Sequence, residues 1–257
     1  MKKGKKNQWS DHLFKVGCFV VVCGVFVWLS VTGVYSFLSN ASYFRVKKVS
    51  FIGLNEKQTA EEISKKLMYD NIFSLDIANV AWGLRRAYPQ FYDVAIIRNL
   101  PDELVVKVVL RKPRAQIKQK NFFLVDSEGV IVSDASERPF EEYIVIAGLK
   151  GMPSLSFGKT VRSAALASGL KLAEILSAHK DSLISLMPVS VRDTPIRINL
   201  DSYPSLYVYL DALELRFNSD SFHKQLKSLF DVVPSLGKKI NQVKYIDLRF
   251  TDPAVSF

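Results

Sequence analysis

At 257 residues the chain is long enough for one large or two small cored domains. Its two cysteines exclude a disulfide framework, and His12, His179 and His223 have no metal-ligand spacing. The formal charge of +10 is divided between a lysine-rich stretch over residues 1–15 and a mildly basic remainder. A basic balance of that size would suit anionic lipid or wall polymer.

The first predicted element is a membrane span. Val16–Leu38 contains no charged side chain and both cysteines, Cys18 and Cys23. As a helix it would extend about 34 Å, against a hydrocarbon core of about 30 Å. Lys2, Lys3, Lys5, Lys6 and Lys15 precede it, and the weaker cluster Arg45, Lys47 and Lys48 follows. The positive-inside rule therefore places residues 1–15 in the cytoplasm and exports everything after the span, with Trp9 and Tyr43 near the two interfaces. Export argues against a nucleic-acid partner. Ser39-Asn40-Ala41 has the form of a signal-peptidase site, but the apolar run is about twice the length of a signal-peptide core, so an uncleaved anchor is expected. Its small residues Gly17, Gly24, Ser30, Thr32 and Gly33 form no G-x-x-x-G pair for helix docking.

Residues 44–115 read as a small two-layer domain. Val46–Leu54 is a predicted strand ending in a Gly53-Leu54-Asn55 turn. Thr59 and Glu62 have capping-box spacing, followed by Ala60, Ile63 and Leu67 on one helical stripe. Asp76 is an N-cap candidate for a second helix carrying Ile77, Val80, Ala81, Leu84 and Tyr88, which Pro89 ends. Strands over Val94–Asn99 and Glu103–Arg111 then flank Leu100-Pro101-Asp102, with Leu104, Val106, Val108 and Leu110 on one face. The order is β-α-α-β-β.

Residues 116–257 read as strand-rich α+β. Phe122–Val125 and Val130–Ser133 flank Asp126-Ser127-Glu128-Gly129, a hairpin signal. A helix is predicted from Thr160 to about His179, with strands at Ile196–Leu200, Leu206–Leu210 and Leu213–Asn218. Phe222, Leu226, Leu229, Phe230 and Val233 define a further amphipathic helix, and Gln242–Phe250 a closing strand. In that strand Ile246, Leu248 and Phe250 are expected to face the core, with Tyr245, Asp247 and Arg249 outward.

These motifs together resemble the FtsQ/DivIB family of cell-division proteins, with residues 44–115 similar to its POTRA domain. Phe44-Arg45-Val46 through Val49-x-Phe51-x-Gly53 resembles the opening of that domain, and Arg98-x-x-Pro101-x-x-Leu104-x-Val106-x-Val108 its last hairpin. Arg111-x-Pro113-x-Ala115 follows, and Leu124-Val125-Asp126-x-x-Gly129 resembles the first hairpin of the family's β-domain. Tyr245-Ile246-Asp247-Leu248-Arg249-Phe250 resembles its terminal strand. Leu110 stands where an acidic residue is usual, and Thr251-Asp252-Pro253 where a turn with glycine is usual.

The resemblance implies a non-catalytic divisome scaffold in the inner membrane, concentrated at the division site. It implies partners resembling the small single-span proteins FtsB and FtsL and, through them, septal peptidoglycan synthase. Binding by strand addition would use Tyr245, Asp247, Leu248, Arg249, Phe250 and Asp252. A second docking hairpin would use Arg98, Asn99, Pro101 and Glu103. No cofactor, metal or small-molecule substrate is expected.

Enzyme signatures are weak. Gly158-Lys159-Thr160 mimics the end of a P-loop, but Pro153 occupies the position of its first glycine. The adjacent acids Asp102-Glu103 and Glu141-Glu142 would point to opposite faces of a strand. The alternative reading is a POTRA-containing translocation or envelope-assembly component, whose large membrane barrel fits poorly with two helical segments after residue 116.

Overall fold

The computed structural model describes residues 7–187 and 195–257, with side chains from Lys15 onward. Lys2, Lys3, Lys5 and Lys6, and the side chains of Trp9 and His12, lie outside the described residues. Helix α1 covers Asn7–Asn40, and from Lys15 it is long and apolar enough to cross a membrane. Phe19, Val22 and Phe26 stand fully on its surface. Ser30 and Thr32 donate their hydroxyls back to the Phe26 and Trp28 carbonyls, both at 2.8 Å, so neither needs water.

Contacts divide the chain into two units. One takes in residues up to Arg85 together with Asp93–Val109, the other Arg86–Tyr92 with Leu110–Phe257.

The first unit contains β1 (Lys48–Ile52), α2 (Lys57–Leu67), α3 (Ile77–Ala87), β2 (Phe91–Asn99) and β3 (Glu103–Leu110), in the expected β-α-α-β-β order. The sheet order is β1-β3-β2, with β1 parallel to β3 in the register Val49↔Leu104 and Phe51↔Val106. Alternation along the strands buries Val94, Ile96, Leu104, Val106 and Val108 on one face, with Ile63, Leu67 and Leu84 buried on the helices. Leu110 departs from its predicted face and is exposed at the strand end. Asp76 caps α3 as expected, its Oδ1 accepting from the Ala78 and Asn79 amides at 3.1 Å. Thr59 is not a cap. The first turn of α2 closes onto the Glu56 carbonyl, which leaves Thr59 buried inside the helix.

The second unit contains β4 (Ala115–Lys118), β5 (Phe122–Val125), β6 (Val145–Ala147), α4 (Ala164–Ala178), α5 (Lys180–Leu186) and β7 (Arg197–Asn199). It continues with β8 (Ser205–Leu210), β9 (Leu213–Asn218), α6 (Phe222–Leu236), β10 (Tyr245–Asp247) and β11 (Ala254–Ser256). One open sheet runs β11-β10-β9-β8-β7-β6-β4-β5. Leu206, Val208, Leu215, Phe217, Ile198 and Ile246 form its inner face and pack into one core with residues of α4, α5 and α6, including Leu176, Leu183, Leu226 and Leu229.

Two expectations in this unit are corrected. Val130–Ser133 forms isolated bridges, Val125↔Ile131 and Val130↔Thr160, instead of a strand. Thr160 is held by that bridge, so α4 starts later, at Ala164, behind Ser163. The turn before it is built as expected. Asp126 Oδ1 accepts from the amides of Glu128 (2.9 Å) and Val130 (2.8 Å), and Gly129 has φ +81°. A Cβ at Gly129 would lie 2.5 Å from the Val161 carbonyl oxygen, so only glycine fits.

Arg111, from the Arg-x-Pro motif, ties this turn down. Its guanidinium lies 2.5 Å from Asp126 and 2.7 Å from Glu128, donates to the Pro89 carbonyl at 3.1 Å, and sits over the Tyr92 ring. The two motifs that carry the family resemblance here are thus one ionic cluster.

Candidate interaction edge

Strand β10 pairs parallel with β9 (Ile246↔Leu215) and antiparallel with β11 (Ile246↔Val255). Both of its sides are therefore occupied. This corrects the expectation that Tyr245–Phe250 is the open terminal strand. The strand stops at Asp247, the chain bends through residues 249–252, and Ala254–Ser256 returns to form the outermost strand. Among the described residues, the free row of N–H and C=O groups thus belongs to β11. At the opposite end of the sheet, β5 is partly covered by bridges from Phe122 to Ser136 and from Val125 to Ile131.

Asp247 causes the bend. Its carboxylate accepts from the Arg249 amide (3.1 Å), from Arg249 Nε (2.8 Å) and from a terminal guanidinium nitrogen (2.6 Å). Burial works to raise the Asp247 carboxyl, but the Arg249 hydrogen bonds and the Arg249 and Arg216 charges outweigh it and hold it below the ordinary range. Leu248 faces the core as its alternation predicts, its amide bonded to the Arg216 carbonyl at 2.9 Å, so its side chain is not offered to a partner. Phe250 departs from its predicted face. Lying beyond the strand, it is 61% exposed instead of facing the core, and Asp252 is exposed beside it.

The neighbours of β10 are not visible in its own sequence. On the sheet face away from the helices, cross-strand pairs form the rows Arg197–Tyr209–Glu214–Tyr245–Ser256 and Asn199–Tyr207–Arg216–Asp247–Ala254. Arg216 lies 3.7 Å from the Tyr245 ring centroid and donates to Glu214 at 2.6 Å. Tyr and Arg are the residue types that most often anchor protein interfaces. Alternating burial in β8 and β9 places these side chains on the outer face, and the pairing of distant strands brings them together. Between α6 and the bend, a shallow cleft is lined by Lys224, Gln225, Arg249 and Phe250.

The candidate hairpin of the first unit has its polar groups engaged internally. Arg98 donates to the carbonyls of Ile72 (2.6 Å) and Leu75 (2.7 Å). Glu103 receives Lys48 (2.8 Å), Ser50 (2.5 Å) and Asn99 (2.6 Å). Those hydrogen bonds, Lys48 first, hold the Glu103 carboxyl at about 2 instead of 4.5. Pro101 lies in the connecting turn. A depressed carboxylate adds stability above its unfolded pKa and loses it as the pH falls through the folded one. Glu103→Gln should therefore lower the thermal midpoint of the first unit at pH 7. The gap to wild type should close as the pH falls from 4.5 towards 2; a gap independent of pH would contradict this role.

Features that invited enzyme readings have structural roles. His179 Nδ1 sits 2.9 Å from the Ile175 carbonyl, and Lys159 donates to the Ser154 carbonyl at 2.7 Å. Among the described residues no group of three or more His, Cys, Asp or Glu side chains could hold a metal.

A membrane-length helix, a POTRA-like β-α-α-β-β unit and a sheet unit with an exposed outer strand define a class of protein built from an apolar helix and two α+β units. The family model for the C-terminal region of cell division protein FtsQ/DivIB matches residues 114–249. The chain belongs to the FtsQ/DivIB family of cell-division proteins. It is 24% identical over 216 residues to cell division protein FtsQ of Syntrophotalea carbinolica, covering 82% of this chain and 73% of that protein. FtsQ of Streptomyces bingchenggensis is 26% identical over 190 residues (73% and 67%), and FtsQ of Geotalea daltonii 21% over 226 (87% and 79%).

Proposed function

We propose that this cell-division protein is a non-catalytic scaffold anchored in the inner membrane by residues 16–38. Residues 1–15 lie in the cytoplasm, and the POTRA-like domain (44–115) and β-domain (116–257) lie in the periplasm. It collects at the division site and recruits and regulates septal cell-wall synthesis through partners resembling FtsB and FtsL.

The observation that carries this reading is β11, the last strand of its sheet, with no partner strand on its outer side among the described residues. An extended segment of a partner would continue the sheet there, and main-chain hydrogen bonds would supply affinity. Phe250 and Phe257, both more than half exposed, flank the edge and offer apolar anchors. Tyr245, Arg216 and Arg249 add a polar rim, and Asp252 a charge at the bend. Asp247 and Leu248 act indirectly, by holding the bend. The 98–103 hairpin is the lesser surface, since Arg98, Asn99 and Glu103 already have internal partners.

A tagged full-length copy followed through the cell cycle tests the proposal. Septal bands and co-purification of small single-span partners are expected. Diffuse envelope signal without such partners would contradict it. Phe250→Ala is the cleaner surface variant to pair with this assay. Arg249→Glu would set a second carboxylate against Asp247, whose side chain is only 5% exposed, and would disturb the bend itself.

A further inference from the structure

The junction between α1 and the first unit is a built structure. The chain after α1 forms a short ladder with the loop that follows α2: the Val46 amide donates to Asp70, Tyr69 to Val46 and Ile72 to Phe44, each at 2.9 Å. The Asn71 side-chain amide then donates to the carbonyls of Leu38 (2.9 Å) and Ala41 (3.2 Å), at the end of α1. Its oxygen accepts from the Phe73 amide at 2.9 Å. Phe44 packs edge-on between Tyr43 and Phe73, with ring centroids 5.2 and 5.0 Å away. If Val16–Leu38 fills the hydrocarbon, a side chain bonded to the Leu38 carbonyl lies in the adjoining headgroup layer, about 5–7 Å deep on each side of a bilayer.

Tyr69 is the second, independent observation. It follows the helix cap Met68 and has φ +71°, the left-handed conformation in which helices commonly end. Glycine or asparagine takes that conformation with little strain, whereas a bulky side chain there is an outlier. The ring gains no packing in return, since Tyr69 is 74% exposed, and Tyr43 is 63% exposed. Two residues of backbone separate Tyr69 from Asn71, a reach of about 7 Å. Lys47 lies 6.0 Å from the Tyr43 ring centroid. Exposed tyrosines with a basic neighbour, within one loop of the end of an apolar helix, have the composition of a membrane-interface belt.

We infer that the loop after α2 and the turn after α1 form an interfacial foot. Tyr43, Tyr69 and Phe73 would rest in the phospholipid headgroup layer at the Leu38 end of the span and set the angle of the first unit to the membrane. This rests on the reading of α1 as a membrane anchor, and the test separates the two. Full-length protein with Cys18→Ser and Cys23→Ser is placed in phosphatidylcholine–phosphatidylglycerol vesicles. Single nitroxide-labelled cysteines are introduced at Val27, Ser42, Asp70 and Asn55, the last at the far end of β1.

Relative accessibility to oxygen and to a water-soluble nickel chelate reports depth. Val27 should be shielded from nickel, Asn55 fully open, and Ser42 and Asp70 intermediate. Tyr43→Ala with Tyr69→Asn should shift the Asp70 label to the Asn55 value. Asparagine accepts the left-handed backbone, so this variant keeps the fold. Ser42 and Asp70 as open as Asn55, with Val27 shielded, would overturn the foot and leave the anchor standing. Intermediate labels unmoved by the double variant would overturn the role of the tyrosines. An open Val27 would remove the anchor and the foot together.

Discussion

Arg111→Ala should destabilise the second unit by about 3–5 kcal/mol, the cost of removing one partner from a buried ion pair. The Arg111 side chain is 15% exposed and that of Asp126 only 3%, so the orphaned carboxylate would be left with little water. Burial opposes the charge on Arg111, yet the hydrogen bonds it donates to Glu128 and Asp126 hold its pKa above the ordinary value. The loss should spread through the turn, because Asp126 also orders the Glu128 and Val130 amides. Arg111→Lys should recover only part of it, since an ammonium cannot reach Asp126, Glu128 and the Pro89 carbonyl at once. Urea unfolding followed by circular dichroism checks this. A change under about 1 kcal/mol, the range of exposed pairs, would show that the cluster is solvated and dispensable.

Val255→Pro combined with Phe250→Ala should weaken partner binding at least about 100-fold with the fold retained. Proline removes an N–H and places its ring in the strand, and truncating an exposed aromatic anchor costs about 2 kcal/mol or more at an interface hot spot. The fold should survive because proline is tolerated on outer strands. The core side of the edge, Ile246 and Leu248, is untouched and fully buried. Circular dichroism with a titration of purified partner separates the outcomes. Undiminished affinity in the folded double variant would show that the partner docks elsewhere.

Much of this was legible in the sequence because local chemistry decided it. The apolar run of α1, the Asp76 cap and the alternation of Leu104, Val106 and Val108 each depend on near neighbours. Among the motifs that carried the family resemblance, Arg111, Asp126 and Gly129 act jointly in a single turn and its ion pair. What was hidden required long-range pairing. Nothing near Ala254 states that it will return beside Asp247, and the strand-like alternation of residues 245–250 favoured an unbroken strand. The bend is held by Asp247, whose carboxylate accepts from the Arg249 backbone amide two residues on, an Asx-type turn that an extended strand would not make. Phe250 left its predicted core face for the same reason, while Leu248 kept it. Short strands such as β6 and β11, three residues each, carry too little periodicity to be seen without their partners.

Amide hydrogen exchange on the full-length protein, alone and with a co-purified single-span partner, reports directly on strand addition at β11. Partner binding should slow exchange at Ala254, Val255 or Ser256, at the amides not already bonded to β10, with little change at the buried strands β8 and β9. Stable binding with β11 exchange unchanged, and protection appearing on another face, would contradict it.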